Sequence, residues 1–183
     1  MNPQRMGGWC LTFTGKRFWP LSPAVEDICI QDIAHALAHV CRFGGHCRQF
    51  YSVAQHSLHV SRLVSPPRAL AGLLHDATEA YLGDMVRPLK RSMPDYRRAE
   101  HDLWAVIARR FGVPVELPLE IKQADNVALM TERRDLLVPS PHSWDSDGTD
   151  SAPDPEKIVP LPPSVVRRRF LQRFSNLSRT KNT

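Results

Sequence analysis

Leu70-Ala-Gly-Leu-Leu-His75-Asp76-Ala-Thr-Glu79-Ala-Tyr81 sets an imidazole and two carboxylates into a short apolar segment. Leu70, Leu73, Leu74, Ala77, Ala80 and Tyr81 recur at three- and four-residue intervals, so the stretch is predicted to be one helix with a packed face. On that helix Asp76 and Glu79 lie one turn apart, as do His75 and Glu79, while His75 and Asp76 are about 100° apart around the axis. Both can lean toward one point beside the helix. A His-Asp pair next to leucines is usually a surface pair without chemistry, because so short a motif carries little specificity. Three such groups bordering a core stripe are nevertheless costly to bury unless paired or bound to a cation. The metal reading therefore depends on donors arriving from other helices.

Two such donors are present. Upstream, Ser52-Val-Ala-Gln55 fits a capping box, with the serine hydroxyl meeting the Gln55 amide and the glutamine side chain reaching back. His56 sits in the first turn of the helix that follows, ahead of Leu58, Val60, Leu63 and Val64, and Pro66-Pro67 closes the element. His59, one turn further on, is the alternative donor; His56 is preferred because it lies beside the cap, where a ligand can reach a cleft. Downstream, Pro118 is placed as the first residue of a helix from Leu119 to Leu137, whose apolar line Ile121, Ala124, Ala128 and Met130 runs past Asp125. Unpaired on a core stripe, an aspartate is a defect; as a ligand it is not.

His56, His75, Asp76 and Asp125 thus supply two nitrogens and two carboxylates from three helices, a mixed set suited to a divalent transition metal such as Co, Mn, Zn or Fe, with Mg a candidate second ion. Such a set leaves coordination positions open to water and to a phosphate oxygen. An ion held that way acidifies water and polarises a phosphoryl group, which is the chemistry of phosphate ester hydrolysis.

The remaining chain surrounds this centre. Residues 9–21 alternate loosely and turn at Gly15-Lys16, which predicts a small β-hairpin ended by Pro20 and Ser22-Pro23. Ile30, Ile33, Leu37, Val40 and Cys41 mark one face of a helix expected to stop at Gly44-Gly45. Gly83 ends the His75-Asp76 helix, and Asp84-Met-Val-Arg87-Pro88-Leu-Lys90 is expected as a loop able to position substrate. Pro94 to Phe111 is amphipathic, with Ala99, Leu103, Val106 and Ile107 inward, Trp104 a further candidate, and Gly112 as the stop. Residues 138–160 carry five prolines and five acids and are expected to be irregular, a lid or a mobile segment. A last helix is expected over 161–176 and a disordered tail over 177–183.

Composition sets the outer bounds. The 183 residues suit one domain with a single core, and 42% hydrophobic with 23% charged residues is ordinary for a soluble protein. No apolar run approaches about 18 residues, so no membrane partner is expected. The N-terminus, Met1-Asn-Pro-Gln-Arg-Met-Gly-Gly-Trp9, lacks the apolar stretch of a secretory signal, so a cytoplasmic protein with four reduced cysteines is expected. Cys41, His46 and Cys47 match no zinc-finger spacing. The net charge of +5 is concentrated: Arg167, Arg168, Arg169, Arg173, Arg179 and Lys181 fall within 161–183, where there is no acid. A basic helix face is more often solvated than bound to nucleic acid, so nucleic acid is not the expected partner; a nucleic-acid-binding protein with a structural metal is the rival from another class.

Four signals in order make the chain resemble the HD-domain metal-dependent phosphohydrolases, in the 5′-deoxynucleotidase-like branch. They are Ser-Val-Ala-Gln-His56-Ser, Leu-Leu-His75-Asp76-Ala-Thr-Glu79-Ala, Gly83-Asp84 with Pro88 and Lys90, and Lys-Gln-Ala-Asp125-Asn, within 42–137. The resemblance implies an all-α fold, a single HD-domain helical bundle over 26–137 carrying the small N-terminal hairpin of 1–25. It implies His56, His75, Asp76 and Asp125 as metal ligands, Glu79 as an acid/base or water-orienting group, and Asp84 as holder of the attacking water. Arg42 falls where the family has a phosphate-binding arginine and Lys90 where it has a second phosphate contact, with Pro88 in the same substrate loop. Phe43 stands where the family often has a tryptophan stacked on the nucleoside, and the His56 to His75 spacing is short for the family. The implied activity is hydrolysis of a deoxynucleoside 5′-monophosphate to nucleoside and phosphate; the closest rival is release of triphosphate from a deoxynucleoside triphosphate. A nucleotide substrate and a homo-oligomer are the partners expected.

Overall fold

Helix α2 (Val53–Leu63) occupies the centre of the molecule and packs on α1 (Ile30–His39), α3 (Ala69–Leu74), α7 (Leu119–Leu136) and α8 (Pro163–Arg179). The computed structural model describes residues 5–142 and 151–179. Three further helices complete the all-α body in that range: α4 (Glu79–Leu82), α5 (Arg87–Arg91) and α6 (Pro94–Phe111). The expected hairpin is present as β1 (Cys10–Leu11) and β2 (Arg17–Phe18), antiparallel with Cys10 opposite Phe18 and Leu11 opposite Arg17. No helix among the described residues is long and apolar enough to cross a membrane.

The core joins Ile33 and Leu37 of α1, Val53, Ala54 and Val60 of α2, Leu73 and Leu74 of α3, Leu103 and Ile107 of α6, Ile121 of α7, and Val166 and Phe170 of α8. Each large side chain removed from water there contributes about 1.5–3 kcal/mol. Small residues set how closely the helices approach. Gly72 on α3 faces α2 so tightly that a Cβ in its place would meet Val64 Cγ2 at 3.2 Å and the Ser61 Cα at 3.4 Å. Ser61 Oγ donates to the Ala69 carbonyl at 2.8 Å across the same contact.

Helices α6 and α7 run almost as their sequence punctuation predicts, from Pro94 to Phe111 with Gly112 in the left-handed conformation, and from Leu119 to Leu136. Pro118 is the N-cap rather than the first helical residue, and Leu129 rather than Met130 completes the buried line. Four local expectations are corrected. The helix over 70–81 is two helices, because Ala77, Glu79 and Ala80 donate to carbonyls three residues back and tighten the chain through 75–78. Helix α1 ends at His39, ahead of the glycine pair, because Val40 turns extended and its carbonyl accepts from the Val53 amide while Arg42 N–H donates to the Tyr51 carbonyl. The 84–90 loop contains α5, with Pro88 in its first turn. Helix α8 continues to Arg179, into the segment expected to be a tail; residues 180–183 lie outside the described range.

The described parts of the 138–160 segment lie against the body. Asp154 N–H donates to Thr131 Oγ1 at 2.8 Å, Ile158 N–H to Asp135 Oδ2 at 2.8 Å, and Gln55 Nε2 to the Val159 carbonyl at 2.8 Å. Gln55 therefore completes only half of the predicted capping box. Its amide meets Ser52 Oγ at 3.2 Å, while its side chain also accepts from Leu161 N–H at 2.9 Å and clamps this strap to α2. The expected lid residues 143–150 lie outside the described range.

Candidate metal centre

Three elements converge on one cluster of donors. The Ser52 cap starts α2 so that His56 falls in its first turn, pointing inward and fully buried. The tight turn after α3 aims His75 and Asp76 at the same point. There the Gly72 carbonyl accepts from His75 Nδ1 at 2.8 Å, which places the ring proton on Nδ1 and leaves Nε2 as a lone pair. Helix α7 contributes Asp125.

The donor atoms are close. His56 Nε2 lies 3.3 Å from His75 Nε2 and 3.3 Å from Asp125 Oδ1. Asp76 Oδ2 is 3.4 Å from His56 Nε2 and 3.2 Å from His75 Nε2. His56, His75 and Asp125 form a group able to hold a metal ion, with one donor atom from each lying within 4.8 Å of the others. His59, the alternative donor, instead contacts Asp154 Oδ2 at 2.8 Å and stands outside the cluster.

No family model matches the chain. The chain is 42% identical over 167 residues to the uncharacterized protein YfdR of Escherichia coli (strain K12), a match covering 91% of this chain and 94% of that protein. The chain belongs to the YfdR family. It is also 36% identical over 191 residues to the uncharacterized protein RCAP_rcc00048 of Rhodobacter capsulatus, covering 94% of this chain and 96% of that protein. Neither name carries an activity, so for this YfdR-family chain the chemistry is argued from the site.

A second layer of charge fixes the donors. Glu132, fully buried and two turns beyond Asp125 on α7, accepts from His56 Nδ1 at 2.6 Å and from Arg42 Nη2 at 3.1 Å. With the proton of His56 on Nδ1, two imidazole lone pairs face each other at 3.3 Å with carboxylate oxygens on either side. That arrangement is repulsive unless a proton or a cation sits among the donors, and two imidazoles with two carboxylates fit a divalent transition metal. Without metal the cluster holds a proton. Burial and Arg42 push His56 down, but Glu132 and Asp125 outweigh them and raise it to about 10. Burial pushes Asp76 up, yet His75, His56 and Arg42 hold it well below the usual carboxylate range; His56 does the same for Asp125.

The other predicted residues border the cluster in different ways. Burial, then the charges of Asp76 and Asp84, raise Glu79 well above the ordinary range. Its buried Oε2 has no hydrogen-bond partner among the described residues. Burial also raises Asp84, against the pull of Arg42. Arg42 is nearly buried, held by Glu132, with Nη1 3.9 Å from Asp76 Oδ2 and the Phe43 ring 5.3 Å from its Cζ. Phe43 is the one non-glycine residue with positive φ among those described, at 55°. Lys90 ion-pairs with Glu100 of α6, and Pro88 is exposed in the first turn of α5.

Glu132 is absent from the sequence expectations, and Arg87 and Lys122 enter them only within the 84–90 loop and the Asp125 motif, with no contact to Asp125 assigned. Glu132 was findable, because seven residues separate it from Asp125 and place both on one helix face. Arg87 Nη2 lies 3.9 Å and Lys122 Nζ 3.4 Å from Asp125 Oδ2. Lys122 sits at helical spacing from Asp125; Arg87 arrives from α5, which no local pattern foretells.

Proposed function

We propose that the chain is an HD-type metal-dependent phosphohydrolase that converts a deoxynucleoside 5′-monophosphate to deoxynucleoside and phosphate. The observation that carries this reading is the meeting of His56, His75, Asp76 and Asp125 beside the buried carboxyl of Glu79 and the nearly buried guanidinium of Arg42. His56 Nε2, His75 Nε2, Asp76 and Asp125 would hold the ion. When bound, a divalent transition metal (Co, Mn, Zn or Fe), with or without Mg as a second ion, supplies Lewis-acid polarisation of the phosphoryl oxygen and acidification of water.

The protein's own residues then manage charge and protons. Arg42, fixed by Glu132, places a guanidinium against the phosphoryl group. Attack by water forms one P–O bond as the bond to O5′ breaks. Asp84 takes a proton from the attacking water, and Glu79, neutral beforehand, delivers one to the departing O5′, so that nucleoside and hydrogen phosphate leave in balance. Phe43, half-buried beside Arg42, offers an aromatic face to the base.

The test is a nucleotide panel with purified, metal-loaded protein. Inorganic phosphate released from deoxynucleoside monophosphates, abolished by chelator and restored by metal, is the expected result. Triphosphate released from deoxynucleoside triphosphates, with monophosphates untouched, would replace this reading with its rival.

A further inference from the structure

Asp125 faces two ways. Its Oδ1 meets His56 Nε2 at 3.3 Å inside the donor cluster, while its Oδ2 is approached by Arg87 at 3.9 Å and Lys122 at 3.4 Å. The two cations are the solvent-side part of the arrangement: the Arg87 and Lys122 side chains are 40% and 53% exposed, against 16% for Asp125. Lys122 reaches that oxygen by i,i+3 spacing on α7, and Arg87 arrives from α5 through the fold. Of the other nearby cations, Lys90 is paired with Glu100 on α6, and Arg42 is held by Glu132 with Nη1 3.9 Å from Asp76, on the other carboxylate of the cluster.

We infer that Arg87 and Lys122 form the phosphate-recognition pair at the mouth of the metal centre and select a phosphomonoester over a phosphodiester. The inference rests on the phosphohydrolase reading and names the substrate class of that site. One carboxylate oxygen between two cations leaves an unmatched positive charge at the rim. A terminal phosphoryl group carries nearly two negative charges at neutral pH and three acceptor oxygens, whereas a diester carries one charge. A guanidinium fork and an ammonium can each hold a different oxygen of such a group. With Asp125 committed to a bound metal, both cations would be free to meet the substrate.

The test combines calorimetric binding of inorganic phosphate to manganese-loaded protein with steady-state kinetics on a deoxynucleoside monophosphate and on bis(p-nitrophenyl) phosphate. Arg87→Ala and Lys122→Ala are each expected to weaken phosphate binding and raise KM for the monoester about tenfold, with kcat, metal content and diester KM within about twofold of wild type. Arg87→Lys should recover part of the loss. Phosphate binding unchanged in both alanine variants, absent from the wild type, or lost only in Lys90→Ala would overturn the inference. The two readings fail separately. Protein that binds phosphate through Arg87 and Lys122 but hydrolyses no ester would sink the hydrolase reading alone, and a working hydrolase indifferent to both substitutions would sink the recognition pair alone.

Discussion

Glu132 Oε1 accepts a 2.6 Å hydrogen bond from His56 Nδ1, and both side chains are fully buried. This contact orients the ring so that Nε2 faces the donor cluster, and it ties the ring to Arg42 through the second carboxylate oxygen. Carboxylates behind a ligand histidine raise its basicity and fix its tautomer, and losing one costs about 10–100-fold in metal affinity. Glu132→Gln should therefore weaken metal binding by about that factor, measured by competition with a chromophoric chelator. Glu132→Ala should in addition lower stability by about 3 kcal/mol, because it takes the nearest carboxylate from Arg42 and leaves only Asp76, at 3.9 Å. Wild-type affinity in Glu132→Gln would show that the contact orients nothing.

Glu79 stands apart from the ligands in chemistry. Burial and its acidic neighbours raise its carboxyl well above the ordinary range, and it is not one of the three residues whose donor atoms cluster. Glu79→Gln should retain a full complement of metal yet lose about 10²–10⁴-fold in kcat. Metal content by elemental analysis, set beside the turnover number, separates this outcome from a ligand role, in which both would fall together.

Protons and metal compete for the same nitrogens. Metal-free protein holds His56 charged, its value raised from 6.5 to about 10. A group raised on folding stabilises fully below its unfolded value and loses that contribution as pH climbs through the folded one. Metal binding displaces the proton, so affinity should rise with pH by on the order of tenfold per unit between about 6.5 and 10. The melting temperatures of loaded and metal-free protein should accordingly diverge as pH increases. Parallel curves would mean that no ligand proton is released.

The close approach of α2 and α3 at Gly72 also positions the site, since the Gly72 carbonyl holds His75 Nδ1. A Cβ at 72 would press on Val64 Cγ2 and on the Ser61 backbone. Gly72→Ala is expected to destabilise by about 1–3 kcal/mol through overpacking and to weaken metal binding through displacement of His75. Chemical denaturation and metal titration of the same variant check both effects.

What the sequence made legible follows from what is local. Pro94, Gly112 and Pro118 punctuate α6 and α7 because their backbone restrictions act wherever they stand. His75 and Asp125 were readable because each borders an apolar stripe that folding buries, and His56 because it stands beside the Ser52 cap at the end of its helix. The break at 75–78 was not, since apolar periodicity runs through it unchanged while the hydrogen bonds shorten to three-residue spacing. Gln55 had a sound local partner in the cap, yet Val159 and Leu161, more than a hundred residues away, took its side chain. Arg87 at Asp125 likewise depends on how α5 meets α7, which is a property of the assembled fold.

In the proposed reaction one divalent ion, held by His56, His75, Asp76 and Asp125, underlies phosphate-ester hydrolysis. The most direct measurement is metal content and phosphate release, made together on wild-type protein and on Asp125→Ala after chelation and reloading. The expected result is about one tightly held ion per wild-type chain and metal-dependent phosphate release, with both lost in a variant that still folds. Full activity in chelated protein, or an Asp125→Ala variant that keeps its ion and its turnover, would contradict it.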